Sequence, residues 1–345
     1  MKKVIFWGIV MAFWVIICTV GNGVVVKAQT IELKMAHFMS PMHIQHQKSF
    51  VPFTEKVGEL SGGKVRIKIY PGGALGKPKQ LPDSVKTGIT DIAFIIPSYT
   101  TGRFPRSSVL DLPYLFDSAV HATKVIYNVH DKYLAEDYKD YKVLWFYSAG
   151  PGQLQSVTRP MHTLESLKGL KMRAPSAYMS KALKKLGVNP VGMPIPKLHM
   201  SLEKKVIDGM LIPFSAVKDF RLFDLVKHIT VVDMYVTPMA VVMNKEKFNS
   251  LPDFAKKAIV QAAGKQWGLH AAHVYDNHDA NTLQEIKKQG KIEVYTLPKS
   301  ETKKFKQQLK TMEAEWIDDM SKRGFPAETA KKMLNAVRRS AQKNR

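Results

Sequence analysis

Short apolar strands alternate with amphipathic helical stretches along most of the chain. Residues 31–35 and 65–70 alternate apolar and polar side chains with period two, which is typical of half-buried strands. Residues 91–96, 143–147 and 170–173 predict further strands. Residues 47–60, 79–87 and 179–186 predict helices, and Gly88 and Gly187 follow the last two as C-terminal stops. Strands that alternate with helices in this way indicate an α/β fold.

The pattern changes after Leu251. Apolar residues then recur at helical spacing as far as Gln289, with Pro252 at the entry and no stop before Gly290. Residues 251–289 therefore predict one very long helix, long enough to run across two lobes. A strand at residues 291–295 and two or three basic helices within residues 300–345 follow it.

Two segments share a faint internal pattern. Residues 84–95 and 201–212 each contain a helix end, a tight turn, an aspartate and an apolar strand, and Asp91 and Asp208 occupy the equivalent places. A chance match is one explanation of such a weak echo. The other is a pair of similar lobes, each built on its own sheet, which fits the α/β pattern.

The first 28 residues differ in character from the rest of the chain. Lys2 and Lys3 precede an apolar run that ends at Cys18, and a small residue, Ala28, follows a short spacer. This pattern predicts a secretory signal peptide cleaved after Ala28 and hence a periplasmic protein, with an uncleaved membrane anchor as the alternative. Because Cys18 is the single cysteine, the exported chain would contain no disulfide.

Composition and charge narrow the function. With 345 residues and 45% hydrophobic residues, the chain has material for two lobes of ordinary size and is not a disordered or disulfide-stapled protein. Its net charge is +23, and it falls to +20 when residues 1–28, which contain three lysines and no acid, are removed. Such a charge indicates an anionic partner, namely a small acid, a nucleic acid or a membrane surface. The lysines are scattered rather than gathered into a stripe with aromatic residues, which argues against nucleic acid.

Signatures of catalysis are absent from the sequence. It contains no Gly-x-Ser-x-Gly, P-loop, Rossmann or His-Glu-x-x-His motif. His270 and His273 lie three residues apart with Asp276, His278 and Asp279 nearby, a spacing that would suit a metal site, although a polar face of the long helix explains it equally. We expect no cofactor and no metal, and an exported α/β metal-dependent hydrolase remains the alternative function.

In open α/β sheets, ligands bind beyond the carboxyl ends of the strands. The residues at those ends are mostly apolar or aromatic with one cation, which suits an organic anion with an apolar body. Arg173 is that cation, and its guanidinium matches a carboxylate with two parallel hydrogen bonds. The predicted ligand-binding residues are Arg173, His37, Phe38, Ser98, Tyr99, Leu154, Gln155, Pro175, Ile212 and Phe214.

Several of these segments resemble one family. Gly-Lys-Val-Arg-Ile-Lys-Ile-Tyr-Pro-Gly-Gly-Ala-Leu-Gly at 63–76, Val-Lys-Thr-Gly-Ile-Thr-Asp at 85–91 and Leu-Lys-Gly-Leu-Lys-Met-Arg-Ala-Pro at 167–175 are similar to the TRAP-type (tripartite ATP-independent periplasmic) solute-binding proteins of the DctP family. Leu186-Gly187, Pro190-Val191, Val-Ile-Asp-Gly at 206–209 and the segment 244–252 continue the match in the same order. The resemblance covers nearly the whole chain after residue 28.

The resemblance implies a two-lobe periplasmic-binding-protein fold, type II-like, in which each lobe is a mixed sheet flanked by helices and a long helix spans the hinge. We expect residues 29–148 with 238–272 to form lobe I, and residues 149–237 with 273–345 to form lobe II and the C-terminal helices. It also implies a monomeric receptor that captures an organic acid, holds the carboxylate with Arg173 and delivers the acid to a TRAP membrane permease. Presentation of the ligand to a sensor kinase would use the same fold.

At two positions the residue differs from the one found in the sialic-acid-type members of this family. Leu154 stands where those proteins carry a second arginine, and Ile212 stands where they carry an asparagine. Both changes remove polar contacts to a ligand. We therefore expect a monocarboxylate with an apolar or aromatic body rather than a sugar acid or a compact dicarboxylate.

Overall fold

The computed structural model describes residues 30–345 and contains eleven strands in that range; the predicted signal peptide lies outside it. Numbered in chain order, the strands are β1 (Ile31–Ala36), β2 (Val65–Tyr70), β3 (Ile92–Ile95), β4 (Tyr141–Ser148), β5 (Gln153–Ser156), β6 (Lys171–Ala174), β7 (Asn189–Gly192), β8 (Gly209–Ile212), β9 (His228–Val231), β10 (Pro238–Asn244) and β11 (Glu293–Thr296). They form a five-stranded sheet in the order β2-β1-β3-β10-β4 and a six-stranded sheet in the order β11-β9-β5-β8-β6-β7. Both sheets are mixed, so the predicted α/β architecture with two lobes is confirmed.

Helices flank both sheets. The α-helices are α1 (Val51–Leu60), α2 (Leu81–Lys86), α3 (Ala119–Val129), α4 (Ala177–Lys185), α5 (Leu198–Glu203), α6 (Ser215–Asp219), α7 (Lys245–Ser250), α8 (Asp253–Ala262), α9 (Gly264–Gln289), α10 (Lys299–Gln308), α11 (Met312–Lys322) and α12 (Ala327–Lys343). Short 3-10 segments occupy Pro97–Tyr99, Ser107–Asp111, Ala135–Tyr138, Glu165–Leu167 and Ile195–Lys197, and π-helical segments occupy His46–Phe50 and His130–Leu134.

The predicted strands at residues 31–35, 65–70, 91–96, 143–147, 170–173 and 291–295 form β1, β2, β3, β4, β6 and β11, whereas β5, β7, β9 and β10 were not predicted. In β2, Val65 and Ile67 face the core while Arg66 and Lys68 face solvent, as the period of two requires. The four residues of β3 are all buried, because this strand lies in the middle of its sheet and is covered on both faces.

The two sheets repeat one local arrangement, which supports the internal echo in the sequence. The carboxylate of Asp91 accepts a hydrogen bond from the backbone N–H of Lys34 at 2.7 Å, and Asp208 accepts one from the backbone N–H of Lys171 at 2.8 Å. Each aspartate precedes a strand and joins it to the neighbouring parallel strand. The equivalent aspartates therefore have the same structural role in both sheets.

Two backbone segments connect the sheets. Residues 149–152 lead from β4 to β5, and residues 232–237 lead back from β9 to β10. These crossings are hydrogen-bonded to each other, from the N–H of Ala149 to the oxygen of Thr237 at 3.0 Å and from the N–H of Gly152 to the oxygen of Tyr235 at 2.7 Å. The expected lobe boundaries after Ser148 and after Thr237 coincide with the ends of β4 and of the second crossing.

The long helix is interrupted, contrary to the prediction of one continuous helix over 251–289. Helix α8 ends at Ala262, Ala263 is extended, and Gly264 has a φ of +83°. Only glycine adopts that φ without strain, so the chain changes direction here and α9 begins anew. A methyl group on Gly268 would lie 2.2 Å from the backbone oxygen of Phe146, which shows how tightly α9 packs on β4. Farther along, Asp279 of α9 accepts a hydrogen bond from the N–H of Ser215, so this helix contacts both lobes.

The C-terminal helices also contact elements beside both sheets. Trp316 of α11 donates a hydrogen bond to Ser108, and the carboxylate of Asp319 accepts one from Tyr178 of α4. His121 of α3 lies 2.8 Å from the backbone oxygen of Ala341 in α12. The C-terminal helices, which the sequence analysis assigned to lobe II, thus lie against both lobes.

Within residues 30–345, no helix combines the length and the apolar character needed to cross a membrane.

Candidate functional site

A narrow cavity lies between the two sheets, where the segments that follow several strands meet. Its lining combines aromatic and aliphatic side chains with a few polar groups: Phe38, Met39, His43, Phe94, Ile96, Tyr99, Ala149, Arg173, Ile195, Ile212, Pro213, Ser215, Ala216, Asp219, Phe220, Tyr235, Thr237, Met239 and Tyr275. These residues come from both lobes and from the two crossings. The cavity therefore lies where a ligand would bridge the lobes.

Arg173 extends from β6 into this cavity and is only 2% exposed. Its Nε donates to the backbone oxygen of Met193 at 3.1 Å, and its Nη1 donates to that of Leu211 at 3.2 Å. Its Nη2 donates to the hydroxyl of Tyr99 at 3.2 Å. Contacts from both lobes thus fix the plane of the guanidinium, since Tyr99 follows β3 and Leu211 belongs to β8.

The charge of Arg173 has no acidic partner among residues 30–345. Its contacts are two carbonyls and one hydroxyl, all of them neutral. A guanidinium has five N–H groups, so two of them make no hydrogen bond within residues 30–345, although the hydroxyl of Tyr235 also lies close enough to interact with Arg173. A buried cation without a counter-ion is costly, and an anion that enters the cavity would relieve that cost.

Aromatic rings form the apolar walls around Arg173. The rings of Phe38 and Phe94 lie 5.2 Å apart, and those of Phe38 and Tyr99 lie 6.1 Å apart. Tyr275 of α9 stacks on Tyr147 of β4 with the ring centroids 6.1 Å apart. Such walls favour a flat or apolar ligand body, because the hydroxyls of a sugar acid would lose water here without finding partners.

A polar group interrupts these walls. Asp219, at the end of α6, lies between two imidazoles: its Oδ1 is 3.1 Å from His278 Nε2, and its Oδ2 is 3.4 Å from His43 Nε2. Burial lowers the pKa of His43 to about 4, which keeps this imidazole neutral at pH 7. The backbone N–H of Gln45 donates to His43 Nδ1, so the proton of the neutral ring is on Nε2.

The structure places some of the residues predicted for the site in the lining of the cavity, and it buries others outside that lining. Phe38, Tyr99, Arg173 and Ile212 line the cavity. Ser98 and Pro175 line an adjoining cavity of about 210 Å³ at the mouth of the cleft.

The other four predicted residues are buried outside the described lining. His37 lies 2.9 Å from His46, Leu154 belongs to the main core, and Phe214 belongs to the second apolar cluster. Gln155 donates to the backbone oxygens of Ile212 and Pro213, behind the cavity wall.

Sequence reasoning missed several lining residues, notably His43, Asp219, Tyr235 and Tyr275. They come from a loop, a short helix, a crossing and α9, none of which ends a strand. His43 was visible only as part of an i, i+3 pair with His46, and Asp219 carried no signal in the sequence.

The histidines of α9 and the aspartates next to them in the sequence have separate partners in the structure. His270 lies 2.7 Å from the backbone oxygen of Lys48, whereas His278 contacts Asp219. Asp276 accepts hydrogen bonds from the N–H groups of Ala119 and Val120 at the start of α3. Within residues 30–345, no group of three or more histidine, cysteine or acidic side chains is arranged to hold a metal ion.

Comparison with known proteins agrees with the fold and with the motifs. The family model for bacterial extracellular solute-binding proteins of family 7, DctP, matches residues 35–319. The 2,3-diketo-L-gulonate-binding periplasmic protein YiaO of Escherichia coli is 29% identical over 214 residues, which cover 61% of this chain and 65% of that protein.

Two solved structures are similar over nearly their whole length. One is a TRAP solute-binding protein from an unidentified marine microbe, specific for aromatic acid ligands and bound to metahydroxyphenylacetate. It is 32% identical with a TM-score of 0.87 and covers 91% of this chain and 99% of its own. The other, from Rhodoferax ferrireducens, contains copurified benzoate; it is 31% identical with a TM-score of 0.87 and covers 91% and 98%.

These similarities confirm the family that the sequence motifs predicted. Proteins of this family are periplasmic solute-binding components of transporters rather than enzymes. The chain belongs to family 7 of the bacterial extracellular solute-binding proteins, the DctP family of TRAP-type receptors.

Proposed function

We propose that this receptor captures an aromatic monocarboxylate in the cavity around Arg173 and delivers it to a TRAP permease. The observation that carries the proposal is the buried guanidinium, with two free N–H groups and no acidic partner among residues 30–345. A carboxylate fits those two groups as a bidentate ligand.

The cavity walls favour a ring next to that carboxylate. Phe38, Phe94 and Tyr275 offer aromatic surface, and an aryl group gains about 25 cal/mol for each Å² of apolar surface that it buries. Ile212 adds an apolar side chain where sialic-acid-type relatives have an asparagine. The aromatic acids bound to the two similar structures, metahydroxyphenylacetate and benzoate, have the same chemistry.

Closure of the lobes would complete the site. Arg173 contacts Tyr99 across the cleft, and the crossings at residues 149–152 and 232–237 are the segments that can bend. We expect the ligand to stabilise the closed form, since it would contact both lobes at once. Small-angle scattering with saturating benzoate should then give a smaller radius of gyration, whereas an unchanged radius would argue for a rigid receptor.

The sequence supports a proposal for how the receptor is exported and how it works with its permease. Residues 1–28 are proposed to export the chain to the periplasm, with cleavage after Ala28, and the mature receptor is proposed to act as a monomer. Its charge of +20 would draw anionic ligands toward the cleft. The partner is the membrane permease that accepts the acid from the closed receptor.

A ligand panel tests the proposal. Thermal unfolding with benzoate, phenylacetate, a branched-chain 2-oxo acid, succinate, malate, galacturonate and sialic acid ranks them by affinity, because any ligand that binds only the folded state raises its melting temperature. We expect aromatic monocarboxylates to give the largest shifts. Larger shifts with dicarboxylates or sugar acids, together with none for aromatic acids, would refute the aromatic ligand class.

A further inference from the structure

Among residues 30–345, Asp219 is the one acidic side chain in the lining of the cavity, and nothing in the capture of a carboxylate requires it. Its side chain is 4% exposed, and it is placed by the end of α6 rather than by a strand. A carboxylate beside an anionic ligand would be a liability if it had no purpose, since like charges in a closed cavity repel. Its surroundings show what the group can bind.

One oxygen of Asp219 is already used by the protein. Oδ1 accepts a hydrogen bond from the backbone N–H of Ile44 at 3.4 Å and lies 3.1 Å from Nε2 of His278. Ile44 belongs to the loop after β1, whereas His278 belongs to α9. These contacts hold the carboxyl group in place from two sides, so its second oxygen has a fixed direction.

The other oxygen has no hydrogen bond among residues 30–345. Oδ2 of Asp219 is buried and lies 3.4 Å from Nε2 of His43, and this contact does not meet the geometry of a hydrogen bond. A buried acceptor without a donor costs free energy, which the protein recovers when a ligand supplies the donor. The donor must come from the cavity, because Asp219 is part of the cavity lining.

The cavity thus presents two different demands to one ligand. Arg173 supplies free N–H groups for an anion, and Asp219 supplies a free acceptor for a donor. Aromatic rings such as those of Phe38, Phe94 and Tyr275 fill the rest of the lining. A molecule that meets both demands has a carboxylate, a flat apolar body and an O–H group.

We propose that Asp219 accepts a hydrogen bond from a ring hydroxyl of the ligand, so that the receptor prefers hydroxylated aromatic acids to unsubstituted ones. This inference rests on the proposed function, since it assumes an aromatic carboxylate on Arg173. The hydroxyl donates a hydrogen bond and remains protonated, so no covalent step is involved. A hydrogen bond to a charged acceptor predicts roughly 10- to 100-fold tighter binding.

Paired ligands test the inference. Calorimetric titrations compare 3- and 4-hydroxybenzoate with 3- and 4-fluorobenzoate and with benzoate, because fluorine is close in size to a hydroxyl but cannot donate a hydrogen bond. We expect at least one hydroxybenzoate to bind at least 10-fold more tightly than its fluoro counterpart. If hydroxy, fluoro and unsubstituted benzoates bind equally well, the role of Asp219 is refuted while the proposed function stands.

A variant then ties the advantage to Asp219. Asp219→Asn keeps one oxygen for Ile44 and His278 and replaces the other with an NH₂ group, which donates rather than accepts. The ratio of the dissociation constants for fluoro- and hydroxybenzoate should fall to within about 3-fold of unity, since the acceptor is gone. Asp224→Asn, which changes an exposed carboxylate five residues along the chain, should leave the ratio unchanged.

Each remaining outcome also supports or overturns the inference. A hydroxyl advantage that persists in Asp219→Asn would mean that another group accepts the hydrogen bond, and would overturn the inference. Failure of every benzoate to bind the unmodified receptor would overturn the inference together with the aromatic ligand class. Should Asp219→Asn fail to fold, the comparison of hydroxy and fluoro ligands on the unmodified chain still decides whether the cavity contains such an acceptor.

Discussion

Truncation of Arg173 to alanine should abolish most of the affinity for an aromatic acid while leaving the fold intact. Of the three acceptors that the guanidinium contacts, two keep another donor. The backbone oxygen of Leu211 keeps the hydroxyl of Tyr235 at 3.1 Å, and the Tyr99 oxygen keeps the N–H of Ile195 at 3.2 Å. Among these three acceptors, the oxygen of Met193 is left without a donor from residues 30–345. The variant also loses a buried charge that has no acidic partner among residues 30–345, so the two effects on stability oppose each other.

The effect on binding is much larger. Two free N–H groups of Arg173 would hold the ligand carboxylate, and their removal leaves a buried anion without its partner. Truncation of one member of such a pair costs about 2–5 kcal/mol. That range corresponds to a dissociation constant raised about 30-fold to a few thousand-fold. Arg173→Lys should recover only part of this loss, because an ammonium group is a point charge without the planar fork.

The assay is isothermal calorimetry with benzoate, combined with thermal unfolding of each variant without ligand. Arg66→Ala is the matched control, since this arginine is 73% exposed and its nearest acidic atom, on Glu32, is 4.0 Å away. We expect the control to leave the dissociation constant unchanged. An Arg173→Ala variant that binds benzoate as tightly as the unmodified receptor would refute the assignment of the carboxylate to this residue.

Three further predictions concern stability and rate. Gly268→Ala should destabilise the fold by about 1–3 kcal/mol, because the added methyl would lie 2.2 Å from a backbone oxygen. Gly58→Ala in α1 should stabilise it by up to about 1 kcal/mol, because the nearest atom to its added methyl is 3.9 Å away. Urea titrations measure both changes. The pKa of His43 is lowered to about 4, so the stability of the unmodified protein relative to His43→Gln should decrease as pH falls below 6.5. The pKa of Asp111 is raised to about 8, so the stability of Asp111→Asn relative to the unmodified protein should increase as pH rises from 4 to 8. Each difference in unfolding free energy should change by about 1.4 kcal/mol per pH unit. A flat difference would contradict either shift. Stopped-flow association rates for benzoate should fall with salt while dissociation rates stay constant, because the net positive charge steers the anion.

Part of the order of strands and helices could be read from the sequence, because those elements carry a period of their own, whereas β5, β7, β9 and β10 were not predicted. The alternation in β2 and the apolar run of β3 are local signals, and the glycines after α2 and α4 mark helix ends with φ values of +76° and +84°. Arg173 could be found by the same route, since it lies at the end of a predicted strand and few cations share that position. A local pattern therefore sufficed for these elements and for Arg173 as a candidate ligand-binding residue.

The rest of the site depends on how the two lobes meet, which no local pattern encodes. His43, Asp219 and Tyr235 come together only because a loop, a short helix and a crossing converge on one cavity. His37 and Gln155 occupy predicted strand ends, yet each side chain bonds to protein groups behind the cavity. The same limit explains the missed break before α9, since a glycine inside an apolar helical pattern marks either a close contact or a turn.

A crystal structure of the receptor grown with benzoate tests the central claim most directly. The account predicts the carboxylate oxygens within about 3 Å of Nη1 and Nη2 of Arg173, with the ring between Phe38 and Tyr275. Benzoate bound elsewhere, for example in the neighbouring cavity of about 340 Å³ that Asp111 and Lys181 line, with Arg173 still bonded only to protein oxygens, would contradict it.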